Sequence, residues 1–503
     1  MKYFNSKAIL SIIAILSGLC FWSRPAHDPD LGWHLNGGAW ITEKLSNGLP
    51  LNQALPNFDF INTFNPVWHD YHWLGQIVLY RIYDAVGYTG LHIIFALFMC
   101  LVCLSLVSIY NKCSRSDSSI FALLTLLPAF YLVYDVASVR PQVISIFLIA
   151  LALNRLLKKP KTTEIFYLLV IAIALVNIHV YWVFIPFLWF AFRCLPRFFN
   201  RRQAPSAIYA WFGLFVLSFA GLASPYGIYH QDPSLSNILM NYSLIWDYLN
   251  TPNYLQKTII EFQSPMRAIG IVPLIMFLWL ILVARYFTVK RFLATIELWF
   301  IGIISFILCL KAVKFIGIFA VLGLPLGIKA AKRSKLLIRL GKLATLNKFT
   351  PVVVGAFLIL IAYRSYPYTN KISYSLIKAL PFDACNSLAK ANLQATEGRN
   401  HVRVLTHFNY GGWCRWIVYQ KNINLDYRVT TDGRTQGVPA SQYTKSFDIY
   451  NLQEGWDKTL DEWSPDAILA SREHSLAHLL YKLPQNWKLI HQDKSFAVFI
   501  KNK

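Results

Sequence analysis

The chain has 503 residues, of which 55% are hydrophobic and only 15% are charged. Soluble domains carry about 25% charged residues, so this composition excludes a disordered chain, a collagen, a coiled coil and an ordinary cytosolic enzyme. The net charge of +23 could suggest nucleic-acid binding, but Lys and Arg also collect in the cytoplasmic loops of membrane proteins. We therefore expect an α-helical polytopic membrane protein, with the lipid bilayer and no nucleic acid as its partner.

The apolar residues are gathered into runs that approach the length of about 20 residues needed to cross a bilayer as a helix. We count about eleven spans, near 8–22, 87–110, 119–134, 142–157, 165–178, 180–195, 207–223, 269–288, 293–310, 313–330 and 350–364. Some runs are short, so their edges are uncertain by several residues and the pair within 165–195 could be miscounted. An odd number of spans puts the two termini on opposite sides.

Basic residues decide the orientation, because cytoplasmic loops are enriched in Lys and Arg. With the N-terminus in the cytoplasm, the basic residues cluster on the inner side at Lys2 and Lys7, Lys112 and Arg115, Arg155 to Lys161, Arg193 to Arg202, Lys290 and Arg291, and Lys329 to Lys348. This topology places the loops 23–86 and 224–267 and the tail 365–503 outside. We interpret the first span as an uncleaved helix, and the location as a bacterial inner membrane.

The tail 365–503 has the composition of a soluble domain. Its pattern predicts an α/β fold with strands near 401–408, 423–430, 466–470 and 487–499, helices near 440–462 and 474–483, and a turn at Gly411-Gly412. The chain thus divides into a transmembrane domain, 1–364, and an extracytoplasmic α/β domain, 365–503. Cys385 and Cys414 are the tail's two cysteines, and an oxidising compartment favours a disulfide between them. The alternative is two buried free thiols.

The loop 23–86 holds the first candidate site. Asp28, Asp30 and His34 lie within seven residues of one another, and a carboxylate pair can bind a metal or act as a general base. The alternative is that Asp28 caps the following turn while Asp30 is only solvated. Within the loop, 32–46 can form a short helix and 71–85 has the pattern of an interfacial helix. The nearby tryptophans, including Trp33 and Trp73, suit either an interfacial belt or a sugar-stacking surface.

Polar residues at the outer ends of several spans form the second candidate site. Arg140 opens the fourth span, His179 closes the fifth, and Lys314 lies at the junction of the ninth and tenth. Ionisable groups at membrane depth are costly and usually functional, although any one of them could instead extend to the interface. Cations on the same side as an acidic loop suit a lipid-phosphate substrate, because the cations can bind the phosphate while the head group is the part that reacts.

A series of motifs in a fixed order runs almost from end to end of the chain. It comprises D-P-D-L-G-W-H-L-N-G-G-A-W-I from Asp28, W-H-D-Y-H-W-L-G-Q from Trp68, R-P-Q from Arg140, N-I-H from Asn177, S-P-Y-G from Ser224, E-F-Q-S-P from Glu261, K-F-I-G-I-F-A from Lys314, F-N-Y-G-G-W from Phe408 and T-D-G-R from Thr431. The series resembles a bacterial family of multi-spanning GT-C-type glycosyltransferase-like proteins. The chain departs from that family's pattern at Gly32, where the family has Trp, and at His72, where it has Glu.

The resemblance implies a GT-C-like membrane fold and transfer of a sugar from a polyprenyl-phosphate donor on the outer face. It implies that Asp28 or Asp30 is the catalytic residue. We expect the outer cations Arg140, Lys314 and His179 to bind the donor phosphate, and we predict that the substrate is bound by Trp33, His34, Asp70, His72, Trp73 and Glu261. The cofactor stays open, with a divalent metal at Asp28 as one option.

We therefore predict an inverting glycosyltransferase that uses a polyprenyl-phosphate or polyprenyl-diphosphate sugar and an envelope glycan, lipid or protein as acceptor. The rival interpretation is a non-enzymatic transporter or flippase of lipid-linked sugars, which would also need outer cations and aromatic residues. A transporter more often contains internal repeats, and the sequence has none. A glycan-binding scaffold is the third interpretation.

Overall fold

The computed structural model describes residues 6–23, 28–64, 68, 70–114, 119–199, 205–228, 259–267, 270–342, 355–356, 359, 380–391, 393–396, 398–421, 426–434 and 438–502. The chain divides into two compact units. The first unit comprises Met1–Arg24 and His92–Pro367, and the second comprises Pro25–Leu91 and Tyr368–Lys503. The first long loop therefore belongs to the same unit as the tail.

The first unit is helical throughout its described residues. Its helices are Ser6–Leu19, the C-terminal part of Trp73–Cys113, Ser119–Val136, Pro141–Leu156, Glu164–Ile178, Phe184–Trp189, Leu195–Phe198, Ala207–Ser218, Pro225–Ile228, Ile271–Tyr286, Val289–Ala294, Ile296–Lys311, Ile316–Leu322, Leu324–Ala331 and Lys335–Lys342. Short 3₁₀ turns and one π-helical segment, Phe190–Cys194, join or extend several of them. Each predicted apolar run contains helical residues in the structure, although most of 350–364 lies outside the described residues.

Only some of these helices are long enough to cross a membrane by themselves. Within the described residues, Trp73–Cys113 meets the criteria of length and composition, and the pair Val313–Leu322 and Leu324–Ala331, bent by 54°, meets them together. Pro325 lies just after the bend, where it removes a backbone donor from the helix. The shorter apolar helices have 10–17 residues, so the count of eleven spans stays a prediction.

The helix Trp73–Cys113 is broken at Gly87, where φ is 66° and ψ is −171°. A positive φ of this kind is readily adopted by Gly and strains other residues. The break lies at the junction that the sequence predicts between an interfacial helix, 71–85, and a span that begins at 87. The glycine therefore lets one apolar run change direction without a loop.

The second unit contains a five-stranded sheet in the order β2-β1-β3-β5-β4. The strands are β1 Val402–Leu405, β2 Tyr427–Val429, β3 Ala467–Ser471, β4 Trp487–Gln492 and β5 Phe496–Lys501. β1 is parallel to β2 and β3, whereas β5 is antiparallel to both β3 and β4. The unit's helices are Leu31–Ser46, Leu51–Ala54, the N-terminal part of Trp73–Cys113, Phe382–Lys390, Phe408–Lys421, Ala440–Asn451, Trp456–Trp463 and Ser475–Leu480.

Both faces of the sheet are buried. Along β5, Phe496 and Val498 belong to one hydrophobic cluster, whereas Ala497 and Phe499 belong to another. Because successive strand residues point to opposite faces, this alternation places a separate core on each side of the sheet. The small sheet predicted for the tail is present, with helices supplying residues to both cores.

The first loop extends this sheet and packs on its helices. The backbone N–H of Thr63 donates to the carbonyl oxygen of Val429 at 2.9 Å, and the N–H of Val429 donates to the carbonyl of Ile61 at 2.9 Å. The loop therefore covers the edge of β2, which would otherwise present unpaired backbone groups. Residues some 370 positions apart thus form one folded unit.

The predicted turn at Gly411-Gly412 is wrong, because both glycines lie inside the helix Phe408–Lys421. Their role is close packing. A Cβ at Gly412 would lie 2.9 Å from the backbone nitrogen of Trp33, and a Cβ at Gly32 would lie 2.5 Å from that of Trp413. The two helices therefore touch backbone to backbone, and the Nδ2 of Asn36 donates to the carbonyls of Gly32 at 2.8 Å and Gly412 at 3.0 Å.

Three other predicted elements differ from those observed. The predicted strand 487–499 is two antiparallel strands, β4 and β5, joined by a turn at 493–495. The predicted helix 440–462 is two helices, since Leu452 (φ 54°) and Gly455 (φ 78°) adopt left-handed conformations between them. The predicted strand 423–430 is observed as Tyr427–Val429, and residues 422–425 lie outside the described residues.

Candidate functional site

Asp28 occupies the turn that leads into the helix Leu31–Ser46. Its Oδ1 accepts a hydrogen bond of 2.8 Å from the backbone N–H of Asp30, and its carbonyl oxygen accepts one of 2.7 Å from the indole Nε1 of Trp413. The residue is only 7% exposed. Asp28 therefore ties the start of this helix both to the next turn and to the tail.

Asp30 stands at the N-cap position of the same helix but makes no side-chain cap hydrogen bond. Its Oδ1 lies against the backbone of Gly433, so closely that a Cβ at Gly433 would be 2.1 Å away. Only glycine leaves room for the carboxylate there. The T-D-G-R segment of the tail therefore forms one wall around the Asp30 carboxylate, which is itself half-buried.

Aromatic rings from both parts of the first loop gather beside this carboxylate. The ring centroids of Trp33 and His72 are 5.6 Å apart, those of His34 and His72 are 5.3 Å apart, and those of Tyr71 and His72 are 4.0 Å apart. The predicted substrate-binding residues Trp33, His34 and His72 are thus brought together. Trp73, a further predicted residue, begins the long helix and is half-buried.

Asp70 is fully buried beneath these rings. Its Oδ1 accepts hydrogen bonds from the backbone N–H of His72 at 3.0 Å and from the Nε2 of Gln76 at 2.9 Å. Burial raises the pKa of Asp70 to about 8, with the His72 hydrogen bond acting in the opposite direction. A carboxyl in this position holds His72 in place and is protonated near neutral pH.

A buried ion network that the sequence did not predict lies next to Gly433. The Nη2 of Arg434 donates to both carboxylate oxygens of Asp59, at 2.7 and 2.8 Å, and its Nε donates to Asp432 at 2.9 Å. All three side chains are at most 3% exposed. The guanidinium carbon lies 4.6 Å from the ring centroid of Trp68. Arg434 therefore joins the first loop to the segment that contacts Asp30.

The predicted phosphate-binding residues come together in the first unit, in a group that we name the cation cluster: Arg140, His179, Lys314 and their neighbour Glu261. The Nη1 of Arg140 lies 2.6 Å from the Oε1 of Glu261, whose side chain is 43% exposed. The Nζ of the buried Lys314 lies 4.2 Å from the ring centroid of Phe262. Glu261, predicted to bind substrate, thus balances Arg140.

Tyr181 and Gln142 hold the remaining members of the cation cluster in place. The hydroxyl of Tyr181 donates to the carbonyl oxygen of Lys314 at 2.9 Å, and the Nε2 of Gln142 donates to the same oxygen at 3.1 Å. The ring of His179 lies 4.2 Å from that of Tyr181. Motifs separated by more than 130 residues therefore fix the geometry of these cations. The role of Tyr181 was not predicted from the sequence.

Cys385 and Cys414 lie in the same core cluster of the second unit, fully buried. Both are free thiols in this structure. Burial, together with a hydrogen bond to the Cys414 thiol, raises the pKa of the Cys385 thiol well above its ordinary value. The side chains are therefore neighbours, and the disulfide between them stays a prediction.

A metal site is not formed by the described side chains. Among these residues, no group of three or more His, Cys, Asp and Glu side chains is arranged to hold a metal ion. Asp28, the residue considered for a metal, uses its carboxylate on the backbone of Asp30.

Comparison with known proteins found no matching family model and no matching curated protein. Solved structures do match. The oligosaccharyltransferase of Archaeoglobus fulgidus, tethered to an acceptor peptide, is 11% identical with a TM-score of 0.53, covering 92% of this chain and 69% of its own. The same organism's AglB in complex with an inhibitory peptide and dolichol-phosphate is 12% identical, with a TM-score of 0.52 and the same coverage. ArnT of Cupriavidus metallidurans, bound to undecaprenyl phosphate, has 12% identity and a TM-score of 0.46, covering 98% of this chain and 97% of its own.

The likeness to the archaeal enzyme establishes the fold. The chain is mostly helical with a small C-terminal sheet and is similar to GT-C membrane glycosyltransferases. The resemblance inferred from the sequence is confirmed at this level.

Proposed function

We propose that the protein is a membrane glycosyltransferase of the bacterial inner membrane, with about eleven spans and its catalytic loop outside. It transfers a sugar from a polyprenyl-phosphate or polyprenyl-diphosphate donor to an envelope glycan, lipid or protein. The fold supports the class of enzyme, but a fold alone does not determine activity, because function resides in the site. The proposal therefore depends on the Asp28–Asp30 segment.

One observation carries the assignment of roles. Asp28 makes the turn and is buried, as a capping residue would be. Asp30 stands at the N-cap without capping the helix, and its carboxylate lies against Gly433. A half-buried carboxylate held in this position suits a general base. We assign Asp30 as the base and Asp28 as the residue that positions it.

The proposed reaction is a direct displacement with inversion. Asp30 takes the proton from the acceptor hydroxyl, whose oxygen forms the new bond to the anomeric carbon. The bond from that carbon to the donor phosphate breaks, and its electron pair leaves with the phosphate. Arg140, Lys314 and His179 stabilise the departing anion, as cations do at developing negative charge. Trp33, His34 and His72 bind the substrate, and Asp70 positions His72.

The first experiment establishes whether a sugar is transferred. Lipid-linked sugars and envelope glycans are compared by mass spectrometry in cells with and without the protein. The accumulating donor is then supplied to purified enzyme in detergent, together with acceptors extracted from the envelope of cells without the protein. A transferase forms a new glycosidic product there. A transporter or scaffold forms none, since no membrane separates the two sides, and that outcome would contradict the proposal.

The catalytic assignment is tested with Asp30→Asn and Asp28→Asn. A general base contributes about 10²–10⁴-fold, so Asp30→Asn should lower transfer by at least about a hundredfold while expression and donor binding persist. Asp28→Asn keeps an oxygen that can accept the Asp30 N–H and should lose less activity. Asp84→Asn removes an exposed carboxylate from the same loop and serves as the control. If Asp30→Asn keeps more than about half of the activity, Asp30 is not the base.

The cation cluster is tested with Arg140→Gln and Lys314→Gln. Loss of a charge-assisted phosphate contact costs about 1.5–3 kcal/mol, or about ten- to a hundredfold in donor use. Lys290→Gln, at an exposed position of the first unit, is the matched control. Wild-type turnover at limiting donor in both cluster variants, with normal expression, would remove the phosphate assignment.

A further inference from the structure

A cavity in the first unit is lined by none of the residues assigned to the candidate functional site. Its volume is about 630 Å³. Its basic lining residues are Lys112, Lys158, Lys159, Arg193 and Lys329. Among the described residues that line it, Glu297 is the one acid. All five basic residues belong to segments that the positive-inside rule assigns to the cytoplasmic side.

Arg193 does not contribute a free charge to this cavity. Its Nε and Nη2 each lie 2.8 Å from a carboxylate oxygen of Glu164, whose side chain is fully buried. The Nη2 also donates to the carbonyl oxygens of Leu156 and Lys158 at 3.2 Å. Glu164 also lies 3.4 Å from the Nη1 of Arg155. Arg193 is therefore engaged in an ion network and in backbone contacts at Leu156 and Lys158.

The lysines are different, because among the described residues none of them is neutralised by an ion pair. The Nζ of Lys112 donates to the carbonyl oxygen of Asn154 at 2.8 Å and also contacts its side-chain oxygen, both of them neutral groups. Lys158 and Arg155 act on Lys112 with like charge. Within the described part of the chain, Lys158, Lys159 and Lys329 form no ion pair. Converging cations of this kind are stabilised when an anion binds between them.

The remaining walls are apolar and include Leu156, Phe192 and Leu298. A basic pocket with an apolar wall, between helices at the cytoplasmic face, suits the phosphate and glycerol portions of an anionic lipid. Lysine binds phosphate as a point charge, without the fixed geometry that arginine requires. We propose that this cavity is a binding site for a phosphate-bearing anion, occupied by the head group of an anionic phospholipid.

The test uses the full-length protein, delipidated in detergent, and three probes: phosphatidylglycerol, phosphatidylcholine and inorganic pyrophosphate. Binding is measured by native mass spectrometry and by titration. The cavity variant carries Lys158→Gln, Lys159→Gln and Lys329→Gln. The matched control carries Lys290→Gln, Lys335→Gln and Arg339→Gln, which removes as much charge from exposed positions on the same predicted side.

We expect wild type and control to bind phosphatidylglycerol alike and more tightly than phosphatidylcholine, and the cavity variant to bind it at least about tenfold more weakly. If wild type binds pyrophosphate but neither phospholipid, and the cavity variant binds pyrophosphate at least about tenfold more weakly, the anion site is supported and its ligand is a soluble one. Equal binding by the cavity variant and the control overturns the proposal, and so does a lack of binding to every probe. Should the triple variant misfold, Lys158→Gln alone, at an exposed side chain, makes the same comparison.

Discussion

Arg434 offers the sharpest test of how the second unit is held together. Arg434→Met removes the cation that pairs with two buried carboxylates, those of Asp59 and Asp432. Breaking a buried pair by removing one partner costs about 3–5 kcal/mol, since the remaining charge is uncompensated. In units of 150–250 residues, 1 kcal/mol lowers Tm by about 2–4 °C. We therefore expect Tm to fall by about 6–20 °C.

The dependence on pH identifies the cause of that loss. Burial raises the pKa of Asp59 to about 6, and Arg434 opposes the rise. Without Arg434, the pKa of Asp59 in the folded state rises further above its value in the unfolded state. At low pH Asp59 is protonated and its burial costs little, whereas at higher pH the folded state must bury its charge. The fall in Tm should accordingly be larger at pH 8 than at pH 5.

Thermal unfolding of the full chain in detergent, followed by tryptophan fluorescence, measures the effect, because the guanidinium lies 4.6 Å from the ring centroid of Trp68. Arg472→Met, at an exposed arginine of the same unit, is the control. Arg434→Lys keeps the charge but not the forked geometry and should give an intermediate Tm. If Arg434→Met melts at the temperature of the control at both pH values, the network does not stabilise the unit.

Two further predictions concern the second unit. Burial raises the pKa of Asp70 to about 8, above the value of about 4 that an aspartate has in the unfolded chain. The protonated Asp70 side chain therefore contributes fully to the stability of the fold below about pH 4, and this contribution is lost as the pH rises to about 8. Asp70→Asn should therefore raise Tm more at pH 8.5 than at pH 5, and an equal effect at both values would contradict its ionisation there. Cys385 and Cys414 should form a disulfide in protein from an oxidising compartment, closing a loop of about 30 residues worth about 3 kcal/mol. Non-reducing peptide mapping after alkylation should find the linked peptide, and two alkylated thiols would eliminate the disulfide.

Apolar periodicity predicted most of the helices because it is a local signal. Runs such as 119–134 and 142–157 coincide with the helices Ser119–Val136 and Pro141–Leu156. The same local reasoning failed at Gly411-Gly412. Paired glycines usually indicate a turn, but these two lie in a helix that contacts the backbone of another helix. That second helix is some 380 residues away in sequence, and a local pattern does not contain its position.

The candidate site was predictable in its residue types but not in its connections. Asp28, Asp30 and His34 stand together in the sequence, so their proximity followed directly. The pairing of Asp59 with Arg434 joins positions 375 residues apart, and the sequence around Asp59 has no distinctive pattern. The T-D-G-R segment around Arg434 offered a usable signal, because an Asp and an Arg that flank a glycine indicate a search for a charged partner.

The glycine of that segment explains why the first loop and the tail must fold together. Asp30 approaches Gly433 at a distance that no side chain allows, and the neighbouring residues Asp432 and Arg434 anchor the segment to Asp59. The ion network thus fixes the wall against which the proposed base lies. A substitution of Arg434 should therefore displace Asp30 as well as destabilise the unit. Such coupling accounts for the presence of the tail in the same compact unit as the acidic loop, since neither part forms this environment alone.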